Sequence, residues 1–432
     1  MIARREFLSA AAAASFTPNL VFGSMAAPPN PVFVKVFMRG GADGLHLFPA
    51  VGDVDYYQSR PDLGIEPPSA DINSAIDLGG LGGTNYRAMN PNLAPLMEIW
   101  DAGRMMIAPA TAVSFNNLSH FDAQRWIEKG AQDNSIDGYL NRYLQIASRT
   151  DDHFRGLVAG KATLSTVFDG SVAVPVIPNA ADYDIRQARD MCSGHGCAEN
   201  QLLETVRSIA SQVDGISDLE RQIRQNQQVM AEAVDVVQSA NSSHLADNGF
   251  HEYHDSDIGR GLKLIAEVLK ANVQLEVATL DWNVGWDTHA NQIPQSVDRF
   301  ADQNFAFHRK IRDGAEDLAT FFRDLGAHLD NVIVLVGSEF GRSVKQNGSL
   351  GTDHGHGGAF FAFGGDIKPG FGPDISSLAE NELLDGQYVP GVVDTRDLIA
   401  EIMVKHMYLP ESLVSTVLPG YAFTDHRIID AR

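Results

Sequence analysis

Short apolar stretches alternate with amphipathic stretches along most of this chain. Apolar runs that end at glycine or polar residues predict buried strands, and apolar residues that recur every three or four positions predict helices. The predicted strands are 32–38, 105–110, 273–280 and 331–336, and the predicted helices include 93–102, 120–130, 259–270 and 315–329. Because strands alternate with helices, we expect an α/β fold in which helices cover both faces of a mostly parallel sheet.

The segment 199–240 departs from this alternation. Apolar residues recur in it at helical spacing, and they are Leu202, Val206, Ile209, Val213, Ile216, Leu219, Ile223, Met230, Val234 and Val237. Asp214-Gly215 interrupts the pattern, and the sequence 217–220 then matches a capping box. We therefore expect a hairpin of two helices. Such an insertion is either a packed surface element or a lid or dimerisation element beside an active site, and the latter would allow a homodimer.

The N-terminus has the features of an export signal. The pair Arg4-Arg5 precedes a short, weakly apolar stretch that includes 10–14, and small residues follow near Ala26. The stretch is too short to cross a bilayer, and paired arginines ahead of it are typical of twin-arginine signals. We therefore expect a signal peptide at 1–26, a contact with the twin-arginine translocase during export, and a periplasmic or secreted location.

Length, composition and charge narrow the fold and the partners. The chain has 432 residues, of which 44% are hydrophobic, so it can bury a large core as one α/β domain with insertions or as two smaller domains. The formal net charge is −22, and removing the +1 contributed by Arg4, Arg5 and Glu6 leaves −23. So acidic a surface argues against nucleic acid as a binding partner, because proteins bind its phosphates through Lys and Arg. No further apolar run approaches the length of a membrane helix, so we expect a soluble mature protein without stable membrane insertion.

The two cysteines lie close together in the chain. Cys192 and Cys197 are separated by Ser-Gly-His-Gly, and after export they would meet oxidising conditions. A disulfide that closes this short loop is the favoured interpretation. The alternative is a second metal site, which would need more thiols or histidines nearby.

Candidate metal ligands are densest in a glycine-flanked loop. Asp353, His354 and His356 lie within 351–358, the sequence Gly-Thr-Asp-His-Gly-His-Gly-Gly. Imidazole and carboxylate bind divalent transition metals near neutral pH, and glycines let neighbouring ligands turn inward. The alternative is a solvated turn whose histidines hydrogen-bond to backbone.

A second cluster favours the metal site over the turn, and two more complete the candidate chemistry. Asp287 and His289 follow the predicted strand 273–280, so two strand ends carry the same chemistry. Asp43 lies in the glycine-rich loop after the first strand. Ser119, ahead of His120 at a predicted helix start, is by itself typical of a helix cap. Beside metal ligands, however, a hydroxyl at a helix N-terminus also has what a nucleophile needs.

These motifs together resemble a known family. Arg-Gly-Gly-Ala-Asp-Gly, Ser-His-Phe-Asp-Ala-Gln, Trp-Asp-Thr-His-Ala-Asn-Gln, Ser-Glu-Phe-Gly-Arg and Gly-Thr-Asp-His-Gly-His-Gly-Gly occur in this order. In them the chain is similar to the bacterial domain-of-unknown-function family 1501, which is commonly exported by the twin-arginine route and is grouped with the alkaline phosphatase and sulfatase superfamily. The resemblance implies a three-layer α/β/α sandwich, with 27–432 as a single alkaline phosphatase-like domain and 199–240 as an insertion.

The resemblance also implies roles for individual residues. They are Ser119 as nucleophile, His120 as acid or base, Asp287 and His289 with a late histidine, His354 or His356, as ligands of a first metal, and Asp43 with Glu339 as ligands of a second. The superfamily's Asp-His pair falls on Glu339-Phe340. Phenylalanine cannot bind metal, so the second metal is absent or recruits Asp353 or His354.

The implied activity is metal-dependent hydrolysis of phosphate-type esters of a small molecule or polymer. Neither Cys-x-Pro-x-Arg nor Ser-x-Pro-x-Arg is present, which disfavours sulfate esters. The ligand types leave open one or two ions of Zn, Mn, Fe, Mg or Ca. The alternatives are a non-catalytic metal-containing binding or accessory protein on the same scaffold, which the departure at Phe340 favours, and carbohydrate or lipid processing outside the cell.

Overall fold

The computed structural model describes residues 31–79, 86–114, 117–134, 136–147, 154–179, 228–229, 233, 236, 252–271 and 273–430. These residues belong to one compact unit, Pro31–Arg432. The predicted signal peptide 1–26 and the predicted Cys192–Cys197 disulfide lie outside the described residues. Of the predicted insertion 199–240, only Gln228, Val229, Ala233 and Val236 are described, and all four are helical.

Nine strands in the described part of the chain form one sheet. They are β1 (Val32–Phe37), β2 (Met105–Ala112), β3 (Gly156–Ala159), β4 (Val176–Ile177), β5 (Val277–Asp281), β6 (Val332–Gly337), β7 (Gly358–Gly364), β8 (Gly370–Phe371) and β9 (Val393–Asp394). Their order is β4-β3-β5-β1-β6-β7-β2-β8, and β9 also pairs with β2.

The sheet is mostly parallel. β1 pairs in parallel with β5 and β6, and β7 runs antiparallel to both β6 and β2. The register aligns Phe37 with Asp281 on one side and with Gly337 on the other. Consequently the carboxyl ends of β1, β2, β5 and β6 meet at one edge, where β7 begins.

Nine α-helices in the described residues accompany the sheet. They are α1 (Gly44–Leu47), α2 (Val54–Ser59), α3 (Met97–Asp101), α4 (His120–Lys129), α5 (Tyr139–Ile146), α6 (Asp257–Lys270), α7 (Ala306–Leu325), α8 (Thr395–Glu401) and α9 (Val414–Val417). Short 3₁₀-helices of three to six residues occur as well, and a π-helical turn, Ile402–His406, extends α8.

Side chains of β1 show how the sheet divides the interior. Val32, Val34 and Val36 face a core that contains residues of α6 and α7, whereas Phe33 and Phe37 face a second core with residues of α5 and α8. Because successive strand residues point to opposite faces, one strand serves both cores. The protein is therefore a three-layer α/β/α sandwich, which confirms the predicted fold class.

Differences from the predicted elements have local causes. The helix predicted at 93–102 begins as the 3₁₀-helix Pro91–Leu96, because Pro95 cannot donate an α-helical hydrogen bond, and continues as α3. α7 starts at Ala306, well before the predicted 315. β7, bounded by glycines and close behind the glycine-rich loop, was not predicted.

None of the helices in the described residues combines the length and apolarity that crossing a membrane requires.

Candidate metal centre

Loops at the edge where the parallel strands end carry the candidate site. β2 leads to α4, β5 and β6 end in long loops, and one of those loops returns into β7. Residues predicted from widely separated motifs meet here. They are His120, Asp287, His289, Glu339, Asp353 and His354.

The centre of the site is formed by His120, Asp287 and His354. Nε2 of His120 lies 3.0 Å from Nε2 of His354 and 3.4 Å from Oδ2 of Asp287. Nε2 of His354 lies 3.1 Å from Oδ1 of Asp287. One nitrogen or oxygen atom of each side chain lies within 4.8 Å of the others. Two imidazoles and one carboxylate therefore face a common point.

His289 borders this centre from the solvent side. Its Nε2 lies 3.0 Å from Oδ1 of Asp287 and 3.0 Å from Nε2 of His354. Its Nδ1 lies 3.1 Å from Oδ1 of Asp353, and the side chains of His289 and Asp353 are 47% and 66% exposed. His289 can therefore offer Nε2 to the centre. Asp353, on the solvent side, orients the His289 ring through Nδ1.

The outer nitrogen of each of these histidines faces a hydrogen-bond acceptor. Nδ1 of His120 lies 2.7 Å from Oε1 of Glu339, and Nδ1 of His354 lies 2.7 Å from the Leu118 carbonyl oxygen. A carbonyl oxygen can only accept, so Nδ1 of His354 donates, and the carboxylates of Glu339 and Asp353 impose the same tautomer on their partners. The three Nε2 atoms consequently face Asp287, and in the neutral rings they are unprotonated.

This donor set fits a divalent metal ion. Neutral imidazoles that donate Nδ1–H to a carboxylate or carbonyl and present Nε2 are the usual form of histidine ligands. With bonds of about 2.1 Å, two nitrogens at right angles around a metal lie roughly 3.0 Å apart. The two measured Nε2 separations, both 3.0 Å, match that spacing. Imidazole and carboxylate together suit Zn, Mn or Fe.

Hydrogen bonds and burial set the charges of the site. The hydrogen bond to Glu339 raises the pKa of His120, and burial opposes this effect. Burial disfavours the ionised form of Asp287, but the hydrogen bond and charge of Arg342 lower its pKa below the usual value. Burial likewise opposes ionisation of Glu339, and the hydrogen bonds from His120 and Gln124 lower its pKa. Both carboxylates are therefore ionised at neutral pH.

Glu339 is oriented away from the point that the Nε2 atoms share. It is buried, and it accepts hydrogen bonds from the backbone N–H of Gly40 at 2.9 Å, from Nε2 of Gln124 at 2.7 Å and from Oγ of Ser338 at 3.0 Å. Glu339, predicted as a ligand of a second cation, thus lies against Nδ1 of His120 and orients that ring.

Asp43 does not join the cluster. Its carboxylate accepts hydrogen bonds from Nη1 and Nη2 of the buried Arg60 at 2.7 and 3.0 Å, from Nε2 of Gln292 at 2.7 Å and from the backbone N–H of Leu45 at 3.2 Å. Burial opposes ionisation, yet Arg60 lowers the pKa of Asp43. Asp43, predicted as a metal ligand, thus pairs with Arg60 and caps α1.

The glycine-flanked loop contributes one of its two histidines to the centre. The backbone of His354 pairs with that of Arg342 in an isolated β-bridge, which places its ring beside Leu118 and Asp287. The ring of His356 lies near Gly391 instead, and burial lowers its pKa. The structure thus brings His354, and not His356, next to Asp287.

Two supporting residues were not predicted from the sequence. Arg342 is buried and donates from Nη1 to Oδ1 of Asp287 at 2.6 Å, and Gln124 holds Glu339. Both belong to the motifs Ser-Glu-Phe-Gly-Arg and Ser-His-Phe-Asp-Ala-Gln, so motif membership was the available indication. A motif cannot by itself distinguish a ligand from the residue that holds it.

Ser119 and Phe340 flank the centre. Ser119 precedes α4, and its hydroxyl makes no capping hydrogen bond to that helix. Phe340 is buried, with its ring centroid 4.7 Å from that of His120 and 4.9 Å from that of His354. The phenylalanine therefore packs against both imidazoles and supplies no ligand.

A cleft of about 750 Å³ opens beside the centre. Asp353 and His354 form part of its wall, and the wall is largely polar. Other lining side chains are Gln58, Lys345, Gln387 and Tyr388. A polar molecule in this cleft would lie next to the candidate ligands.

The chain matches one protein-family model and resembles solved structures at low sequence identity. A family model described as "Protein of unknown function (DUF1501)" matches residues 112–420. The comparison with curated proteins found no match. A solved structure from Vibrio parahaemolyticus, described as a protein in the alkaline phosphatase superfamily, is 11% identical with a TM-score of 0.33; the match covers 81% of this chain and 63% of that chain. The alkaline phosphatase from the Antarctic bacterium TAB5 is 12% identical with a TM-score of 0.30, and the match covers 79% of this chain and 94% of that one.

Proposed function

This chain belongs to the DUF1501 family, and from that premise we propose that it is a metal-dependent hydrolase of phosphate-type esters. One observation carries the proposal. The imidazoles of His120, His289 and His354 are each held through Nδ1, and their Nε2 atoms converge on the ionised Asp287. Such convergence is the arrangement that a catalytic divalent metal requires.

We assign the metal to His120, Asp287 and His354, with His289 as a further ligand on the solvent side. When bound, the metal supplies a Lewis acid that draws charge from an ester oxygen and favours ionisation of a nearby oxygen nucleophile. Arg342 keeps Asp287 ionised and fixed, and Glu339 keeps the His120 ring in one orientation. This assignment transfers His120 from acid or base to ligand and removes Asp43 and Glu339 from the ligand set.

The nucleophile in this proposal is Ser119. Its hydroxyl lies at the start of α4, next to His120, and is not used as a helix cap. Its Oγ forms a bond to phosphorus while the bond from phosphorus to the leaving oxygen breaks, and the hydroxyl proton passes to that leaving group. Water then cleaves the seryl ester and restores the hydroxyl. Backbone amides at the N-terminus of α4 favour the negative charge of the ester.

The cleft beside His354 is where we place the substrate. Its polar wall supports a polar ester, and Lys345 offers a cation for an anionic group. A cleft of this size accommodates a small molecule or the end of a polymer. The packing of Phe340 on the imidazoles supports an alternative, a metal-containing binding or accessory protein without turnover.

Metal analysis and turnover assays test the proposal together. We expect the purified protein to retain a divalent metal and to cleave p-nitrophenyl phosphate or bis(p-nitrophenyl) phosphate after supplementation with Zn, Mn, Fe, Mg or Ca. Ser119→Ala should lower turnover by about 10³-fold or more while leaving the metal in place, and the exposed Ser349→Ala should behave as wild type. Metal retention without cleavage of either ester would overturn the hydrolase and favour the accessory protein. Normal turnover by Ser119→Ala would instead assign the attack to water.

We also propose that the protein works in the periplasm or outside the cell. The twin-arginine pair Arg4-Arg5 ahead of a short apolar stretch supports export. Cell fractionation of the full chain and of the double variant Arg4→Lys/Arg5→Lys tests this. Retention of the variant in the cytoplasm is expected, and equal export of both would contradict the assignment.

A further inference from the structure

A second group of candidate ligands lies on the helical layer, apart from the site described above. His254 precedes α6, and Asp313 and Glu316 lie on α7. One nitrogen or oxygen atom of each lies within 4.8 Å of the others. We propose that His254, Asp313 and Glu316 bind a divalent transition-metal ion that joins the segment before α6 to the middle of α7.

The distances in this group suit ligands around a cation better than an ion pair. Nε2 of His254 lies 3.5 Å from Oε2 of Glu316 and 3.8 Å from Oδ1 of Asp313. A protonated imidazole paired directly with a carboxylate closes to about 2.7–2.9 Å. Two ligand atoms bonded to one metal at about 2.1 Å lie roughly 3 to 4 Å apart. The group therefore has room for a cation between its members.

The His254 ring is oriented by a buried carboxylate. Asp317 is fully buried, and its Oδ1 lies 3.1 Å from Nδ1 of His254 and accepts the His254 backbone N–H at 2.8 Å. Its other oxygen accepts from the hydroxyl of Ser256 at 3.2 Å. With Nδ1 engaged by Asp317, Nε2 faces Asp313 and Glu316. The same device, a carboxylate behind a ligand histidine, holds His120 in the first centre.

The backbone around His254 is packed too closely to allow another position. A side-chain carbon at Gly259 would lie 2.2 Å from the carbonyl oxygen of His254 and 2.8 Å from Oδ2 of Asp317. Glycine at this position lets α6 pack directly against the backbone of His254 and the carboxylate of Asp317. Ser256 caps α6 by accepting the N–H of Gly259 at 3.0 Å. The position of His254 is thus built into the fold.

The two carboxylates are arranged to share one cation. Asp313 and Glu316 are three residues apart on α7, a spacing that puts them on one face of the helix. Nε of Arg312 donates to Oε1 of Glu316 at 3.0 Å, so this contact leaves Oε2 directed at His254. One imidazole and two carboxylates suit Zn, Mn or Co, whereas Ca prefers oxygen ligands alone.

Metal titration in a background that lacks the first centre tests the proposal. In full-length His120→Gln/His354→Gln protein, which lacks two central ligands of the first centre, we expect one equivalent of Zn or Co, measured by calorimetry and by the visible spectrum of Co. Adding Glu316→Gln or His254→Gln should weaken binding by about 10-fold or more, and the thermal midpoint should no longer rise with Zn. Glu316 is partly exposed, so its substitution is not expected to disturb folding, which circular dichroism checks.

Lys310→Gln is the matched control, because it changes an exposed residue of α7 that is neither a proposed ligand nor a support of one. It should bind Zn as tightly as the background protein. Absence of metal from the His120→Gln/His354→Gln protein, or unchanged affinity in both Glu316→Gln and His254→Gln, would overturn the second site. Neither result bears on the hydrolase proposal, which rests on other residues.

Discussion

Histidines occupy two contrasting environments in this protein. In the candidate metal centre, His120 and His354 each place Nδ1 on an acceptor and direct Nε2 toward a carboxylate. His46 and His308 are buried, with ring centroids 5.8 Å apart, and Phe300, Phe305 and Phe307 lie around them. Within the described part of the chain, none of the four ring nitrogens of this buried pair has a hydrogen-bond partner.

The two environments shift the pKa of histidine in opposite directions. The hydrogen bond to Glu339 raises the pKa of His120, whereas burial lowers the pKa of His46 to about 4 and that of His308 to about 3. The difference shows that partners and solvent, rather than residue type, decide whether a histidine is a ligand or an apolar packing element. Each prediction below tests one side of this contrast.

The largest effect is expected from removing a central imidazole. His354→Gln should bind one equivalent of metal less than wild type and lower any ester turnover by more than about 100-fold, since it removes a proposed ligand and not only its support. His356→Gln is the matched control two residues away, and it should keep both metal and turnover. Metal analysis of the two purified variants decides the matter. Metal loss from His356→Gln with retention in His354→Gln would reverse the assignment.

The buried pair should make the protein sensitive to acid. An unfolded histidine titrates near 6.5 and His46 in the fold near 4, so between these values the unfolded chain binds more protons. Stability is therefore complete above pH 6.5 and falls as the pH drops toward 4, where His46 alone costs about 3 kcal/mol. Urea unfolding at pH 7 and pH 4.5 measures this change.

The double variant His46→Leu/His308→Leu should show a smaller loss of unfolding free energy between the two pH values. His328→Leu, which alters a histidine outside both groups, should keep the wild-type dependence. An equal pH dependence in the double variant and wild type would show that the pair is not the source of acid sensitivity.

Removing the charge behind His120 should have an intermediate effect. Glu339→Gln preserves the shape of a buried carboxylate but weakens its hold on Nδ1, and metal affinity should fall by about 10- to 100-fold. Competition with a chelator measures the affinity, and the exposed Asp298→Asn serves as the control. Unchanged affinity in Glu339→Gln would mean that the ring of His120 is held by packing on Phe340.

The smallest effect is expected at the open side of the centre. Lys345 is exposed on the wall of the cleft, and a screened charge contact there is worth about 0.2–1 kcal/mol. Lys345→Gln should raise the KM for an anionic ester by roughly 2- to 5-fold with little change in kcat. A large fall in kcat would instead place Lys345 at the reacting group.

Local patterning determined much of the architecture. The apolar runs around Val34 and Val334 became central strands. Helical spacing predicted the helix start at His120 and the second half of α7, but not the first half of that helix. β7 was not predicted because its apolar run, Gly358–Gly364, directly follows a glycine-rich loop. The strand pairs antiparallel with β2 and β6, which are distant or separated from it by that loop. Strand pairing is a tertiary property, and short apolar runs do not reveal it.

The sequence by itself determined the chemistry available at one edge of the sheet, because Asp, Glu and His residues cluster after apolar runs that could only be strands or helices of a core. Only the tertiary structure decided which of them meet. His120 and His354 are 234 residues apart, and their Nε2 atoms are in contact. Asp43 instead forms an ion pair with Arg60. Ligand geometry depends on contacts of a few ångströms between distant segments, and those contacts exist only once the sheet has assembled.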